Sequence, residues 1–160
     1  MDALAAFFTK YKDALITVTW FVAAVGWVVS NFQANKREKR KETRAEVDAI
    51  CKATTELIHK CRNYYEKGPL DPEEDTKVAE ISFEVKRVLR RIQTLHNRTP
   101  KFNDAVLAGA EFFDVLTGEP FASKHREIHK PGSQLLYRVE SAISNLIDKL
   151  EEGFTKSFLR

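Results

Sequence analysis

The chain has 160 residues, 43% hydrophobic and 31% charged, with a formal net charge of +3. That length allows one domain with a modest core, and so small a net charge argues against double-stranded nucleic acid as a partner. Cys51 and Cys61, separated by nine residues, read as reduced thiols, and His59, His96, His125 and His129 do not complete a zinc site, so no metal is expected.

Residues 1–13 balance Lys10 and Lys12 against Asp2 and Asp13, and Leu4, Phe7 and Phe8 suit a short amphipathic or extended interfacial segment. Ala14 to Asn35 then carries no charge over 22 positions. At about 1.5 Å per residue a helix of that length reaches about 33 Å, against a bilayer core of about 30 Å. The stretch is therefore expected to be a transmembrane helix over 14–35. A cleaved signal peptide would need its basic cluster before the apolar core, whereas here it follows. Thr19, Ala23, Gly26 and Ser30 share one face by their 4, 3, 4 spacing. Small residues on a stripe permit close helix packing; chance in an Ala/Val-rich helix and an oligomeric pore lining are the other readings.

Lys36 to Arg44 holds six basic and two acidic side chains. Lys36, Arg37, Lys39, Arg40 and Lys41 are expected to contact anionic lipid, and the positive-inside rule puts them in the cytosol with Met1 outside. The implied location is a bacterial inner membrane, crossed once. Residues 36–46 read as a basic juxtamembrane helix and 47–160 as a cytosolic helical domain.

In that domain Val47, Ile50, Cys51, Thr54, Leu57, Ile58, Cys61, Tyr64 and Tyr65 recur at helical spacing until Gly68-Pro69. A second helix is predicted from Asp71 and Pro72, with Glu74 completing a capping-box pattern and Val78, Ile81, Val85, Val88, Leu89, Ile92 and Leu95 as its apolar stripe. Thr99-Pro100 opens a third helix to about Thr117, and Gly118 and Pro120 end it. The segment from Ser123 to Lys130 is polar and basic. A last helix starts near Ser133 and turns Leu135, Leu136, Val139, Ile143, Leu146, Ile147, Leu150 and Phe154 to one side. No run alternates as a strand does, so the fold class is all-α: one transmembrane helix followed by a bundle of about four helices.

No catalytic motif is present, so the chain reads as a non-enzyme without a cofactor. His125 and His129 stand at i and i+4, but the Glu next to the first His of a metalloprotease is missing. Basic residues are the more suggestive feature. One group is Arg87, Arg90, Arg91, Arg98 and Lys101; another is Lys124, His125, Arg126, His129 and Lys130. If antiparallel helices bring them to one end, with Tyr64, Tyr65, Phe102 or Phe121 nearby, they could hold phosphates and stack bases. The plainer reading has them solvate helix surfaces and pair with Glu84, Glu127 and Glu140. The candidate ligand residues are Arg90, Arg91, His96, Asn97, Arg98, Lys101, Lys124, His125, Arg126 and His129.

In size, single N-terminal membrane region, all-helical cytosolic domain and basic turns such as His96-Asn97-Arg98 and Lys124-His125-Arg126, the chain resembles the small membrane-anchored effectors of type III CRISPR systems. The resemblance implies a homo-oligomer that binds a cyclic oligoadenylate and then perturbs the membrane to stop virus replication. The alternative is a membrane-tethered helical scaffold with no small ligand.

Overall fold

A computed structural model describes residues 2–67, 69 and 72–158, with side chains from Ile16 onward. Four α-helices and no strand are found among the described residues: α1 (Asp2–Glu66), α2 (Glu74–Arg98), α3 (Asn103–Thr117) and α4 (Gln134–Phe158). The all-α expectation is met, and one long apolar N-terminal helix is a candidate membrane span. The chain divides into two compact units, Met1–Lys41 and Glu42–Arg160. The second unit thus begins five residues before the expected boundary at Val47, because Thr43 is already buried.

The first unit is helical from Asp2, so residues 2–13 belong to α1 and form no extended cap. No proline interrupts the chain before Pro69, and helix propagation costs little once a nucleus exists. Its apolar side chains have no cover within the chain. Trp20 is 74% exposed, and Phe21, Trp27 and Phe32 stand out in the same way. Apolar residues on every side of a helix are a feature of membrane spans or deep cores, and this segment is not in a core. Thr19, Ala23, Gly26 and Ser30 are exposed as well, and a Cβ placed on Gly26 would meet nothing within 4 Å.

The second unit is an antiparallel bundle. Glu46 on α1 accepts from Arg91 near the end of α2 at 2.9 Å, while Lys60 reaches Glu80 near its start. Arg44 donates to Glu151 near the end of α4 at 2.6 Å, and Arg62 to Glu140 near its start. Asp104 and Glu111 on α3 meet Lys156 and Asn145 on α4. Directions therefore alternate along the chain. These pairs are largely exposed and contribute little energy. The bundle is held by its core, where each fully buried large side chain contributes about 1.5–3 kcal/mol. Val47, Ile50, Leu57, Cys61, Tyr64 and Tyr65 from α1 meet Ile81, Val85, Val88, Ile92 and Leu95 from α2. Phe112 and Leu116 from α3 and Val139, Ile143, Leu146 and Leu150 from α4 complete it.

Helix starts differ from the sequence reading in two places. α2 begins at Glu74, its N-cap Glu73 makes no side-chain cap bond, and Pro72 sits in the preceding turn. Asp71, the expected cap, lies outside the described residues. Thr99 is extended (φ −146°, ψ 95°), as the residue before a proline tends to be, and Pro100–Phe102 form one 3₁₀ turn before α3. Ser133 behaves as expected: its Oγ accepts from the Leu136 N–H at 3.5 Å and its carbonyl from the Tyr137 N–H at 3.0 Å.

Gly153 lets α4 approach the 3₁₀ turn. A Cβ there would stand 2.7 Å from Phe102 Cδ1 and 3.2 Å from the Lys101 carbonyl oxygen. Phe102 is fully buried, so its ring has nowhere to retreat. Gly153→Ala gains about 1 kcal/mol of helix propensity but forces this contact, at a cost of about 1–3 kcal/mol. The variant is expected to be less stable by up to about 2 kcal/mol, read as a lower urea midpoint in helical circular dichroism.

Candidate ligand-binding surface

The two basic groups lie at opposite ends of the bundle. The end at which the chain enters through Glu42 is called proximal here, and the other distal. Arg91 pairs with Glu46, and Lys101 and Phe102 pack beside Gly153, so the first group is proximal. His129 donates its backbone N–H to Tyr65 O at 3.0 Å, and Arg126 reaches Tyr64 and Lys67, so the second group is distal. The physical reason is α3. It separates the groups in sequence and runs between the two ends at about 1.5 Å per residue. The expectation of a convergent site within one chain is corrected accordingly.

The aromatic partners are corrected too. Tyr64, Tyr65 and Phe102 are buried core residues, and Phe121 packs on the Tyr64 ring at 5.4 Å. None of the first three presents a face to a ligand base.

Arg126 is the principal departure. Its side chain is 1% exposed. The guanidinium lies 3.9 Å over the Tyr64 ring and donates to Tyr64 Oη at 3.1 Å. It also donates to the carbonyls of Tyr64 at 3.1 Å and Lys67 at 2.8 Å, and it pairs with Glu74. Arg126 therefore satisfies carbonyls at the C-terminal end of α1 that have no helical partner, and it ties them to the first residue of α2. Tyr64 Oη accepts in turn from the backbone N–H of Ala122 at 3.0 Å, which holds Ala122 at φ 59° in the left-handed region. Tyr64, Lys67 and Glu74 were not identified as its partners from sequence, because more than fifty residues separate them from Arg126.

Around this pin, Lys124, His125 and Lys130 are exposed. Lys124 borders an open cleft of about 330 Å³ together with Pro69, Pro72, Glu74, Asp75 and Val78. Two carboxylates in the lining make it a poor seat for an anion. The His129 ring packs edge-on against Tyr65 at 5.8 Å, and its Nε2 is buried without a hydrogen-bond partner.

At the proximal end the cations divide. Arg91 is taken by Glu46, which raises its pKa, and Arg87 is paired with Glu84. Arg90, Arg98 and Lys101 are exposed and make no ion pair with a described residue. Asn97 Oδ1 accepts from Gln93 at 3.1 Å, and His96 is half-buried, its Nδ1 without a hydrogen-bond partner. Arg90 in the second half of α2, Arg98 at its end and Lys101 in the following turn are thus exposed cations available to an anion. In the first unit Lys36, Arg37, Lys39, Arg40 and Lys41 are exposed, and Lys36 Nζ lies 4.7 Å over the Phe32 ring. No group of three or more His, Cys, Asp and Glu able to hold a metal occurs among the described residues.

No family model, curated protein or solved structure matches the chain.

Removing the Arg126 side chain leaves the buried Tyr64 carbonyl and the part-buried Glu74 and Lys67 carbonyl without their donor, a defect of about 1–3 kcal/mol. Arg126→Ala is expected to lower the unfolding midpoint strongly, and Arg126→Lys to recover little, since one ammonium cannot serve all four acceptors. Urea unfolding of both variants checks this.

Burial also pushes the Cys61 thiol up to about 12 and raises the hydroxyls of Tyr64 and Tyr65 above their usual range. The unfolded chain releases these protons at about pH 8.5–10, before the folded chain does. Above that range the unfolded state binds fewer protons, so stability falls as pH rises. The contribution is complete below about pH 8 and is lost progressively towards pH 12. Urea midpoints at rising alkaline pH are expected to decline in step with tyrosinate absorbance.

Proposed function

We propose that this chain is a membrane-anchored defence effector, of the type III CRISPR accessory class, whose helical bundle binds a cyclic oligoadenylate at its proximal end. The observation that carries the ligand class is the unpaired triplet Arg90, Arg98 and Lys101 in the proximal half of the bundle. Arginine suits bidentate phosphate contact. A single triplet offers too few contacts for a cyclic oligonucleotide, so copies of the chain around a symmetry axis supply the rest. A ligand with one phosphate per nucleotide matches such a repeated cation set. His96 and Asn97 precede Arg98 in the chain. The anchor is the uncharged, uncovered stretch of α1, with a bacterial inner membrane crossed once, Met1 outside and the bundle in the cytosol. Binding that favours one packing of the bundles over another would act on the membrane helices, whose Thr19, Ala23, Gly26 and Ser30 face permits close approach.

A second reading is a tethered scaffold with no small ligand. It is favoured by the separation of the two basic groups and by the burial of Arg126 and the tyrosines.

Thermal unfolding of the full chain in detergent with a panel of cyclic oligoadenylates separates the two. At about one hundred times Kd a ligand adds about 2.7 kcal/mol, a rise of roughly 10 °C for a bundle of this size. Arg90→Ala and Arg98→Ala are each expected to weaken binding about tenfold or more without changing the ligand-free midpoint. No shift with any member of the panel would favour the scaffold.

A further inference from the structure

The bundle is electrically lopsided. Its proximal half (residues 42–53, 87–109 and 147–158) holds nine Lys/Arg and seven Asp/Glu. Its described distal half (residues 54–67, 72–86 and 110–146) holds nine Lys/Arg and twelve Asp/Glu. Near the proximal end, acids are also engaged by other cations: Glu46 by Arg91, Glu151 by Arg44, and Asp104 and Glu152 by Lys156. Arg90, Arg98 and Lys101 are exposed there without an ion partner among the described residues, and this half carries two more bases than acids. Chain length restricts where this end can go. Seven residues lead from Asn35, the last of the uncharged stretch, to Glu42. Even a fully extended backbone spans no more than about 25 Å over that distance.

We infer that the proximal end of the bundle docks on an anionic bilayer surface, with Arg90, Arg98 and Lys101 contacting lipid headgroups and the net-negative distal half directed away from it. The inference rests on the membrane-anchor part of the proposed function and not on its nucleotide. Charge complementarity selects the occupant: each basic residue near an anionic leaflet strengthens attachment about fivefold, and an acidic distal half is repelled by the same field. These contacts are additional to those of Lys36 to Lys41, because they come from a folded corner more than forty residues further along the chain. Lipid and nucleotide then compete for the same three side chains.

Amide hydrogen exchange of the full chain in nanodiscs tests this, comparing phosphatidylcholine alone with about 30% phosphatidylglycerol at low salt. Amides of residues 97–104 are expected to exchange about tenfold more slowly in the anionic discs. That protection should vanish at about 0.5 M salt and in the Arg90→Gln, Arg98→Gln, Lys101→Gln triple variant. Amides of residues 123–130 should be the same in both discs. Equal exchange at 97–104 in the two lipids, protection that persists in the triple variant, or equal protection at both ends would each overturn the inference. Retention of the chain in vesicles after alkaline carbonate extraction reports the anchor separately. Loss of that retention would remove the anchor itself, whereas nucleotide shifts measured in detergent bear only on the ligand.

Discussion

A buried guanidinium organises the distal end of the bundle. Arg126 stacks on Tyr64, donates to two carbonyls at the end of α1 and pairs with Glu74 at the start of α2. A charge inside a protein is costly unless its donors are matched. Here the acceptors come from two stretches, the C-terminal end of α1 and the first turn of α2, and the donor from a third, the irregular segment between α3 and α4, so one side chain joins all three. The same contact explains why that segment, which lacks a helix of its own, lies packed on Tyr64 and Tyr65.

With Arg126 committed to structure, the two ends acquire different characters. The distal end uses Arg126 internally, and its half of the bundle carries more carboxylates than cations. The proximal end pairs Arg44, Arg87 and Arg91 but leaves Arg90, Arg98 and Lys101 in solvent. Location in the bundle, and not residue type, separates a structural arginine from a free one. An anionic partner, whether a nucleotide phosphate or a lipid headgroup, meets Arg90, Arg98 and Lys101 unneutralised in the net-positive half of the bundle.

The first unit obeys another constraint. In the second unit every helix finds partners for its apolar face, and the largest buried side chains are fully covered. Between Ile16 and Phe32 the apolar side chains have no such partners, and water is a poor environment for so continuous a surface. That makes the segment a candidate membrane span, and the cations from Lys36 onward suit the boundary of a bilayer.

Much of this was legible in the sequence. The 3.6-residue spacing of Val47, Ile50, Leu57 and Cys61, or of Ile81, Val85, Val88 and Ile92, marks buried helix faces because one stripe must face the core. Proline marks the breaks, with a glycine nearby at three of them, because it lacks the N–H and turns its predecessor away from helix. The uncharged run of α1 is equally local, a matter of length and composition. Local pattern does not report which surface charge is paired, since the partners of Arg91 and Arg126 lie 45 and 52 residues away in sequence. Nor does it say that the two basic groups stand at opposite ends, which follows from the direction in which α3 crosses the bundle. The sequence by itself determined the helices, their buried faces and the apolar segment, because those depend on neighbours a few residues apart. Only the tertiary structure decided that Arg126 is an internal pin while Arg90, Arg98 and Lys101 stay free, because burial and pairing depend on what distant segments bring to the same place.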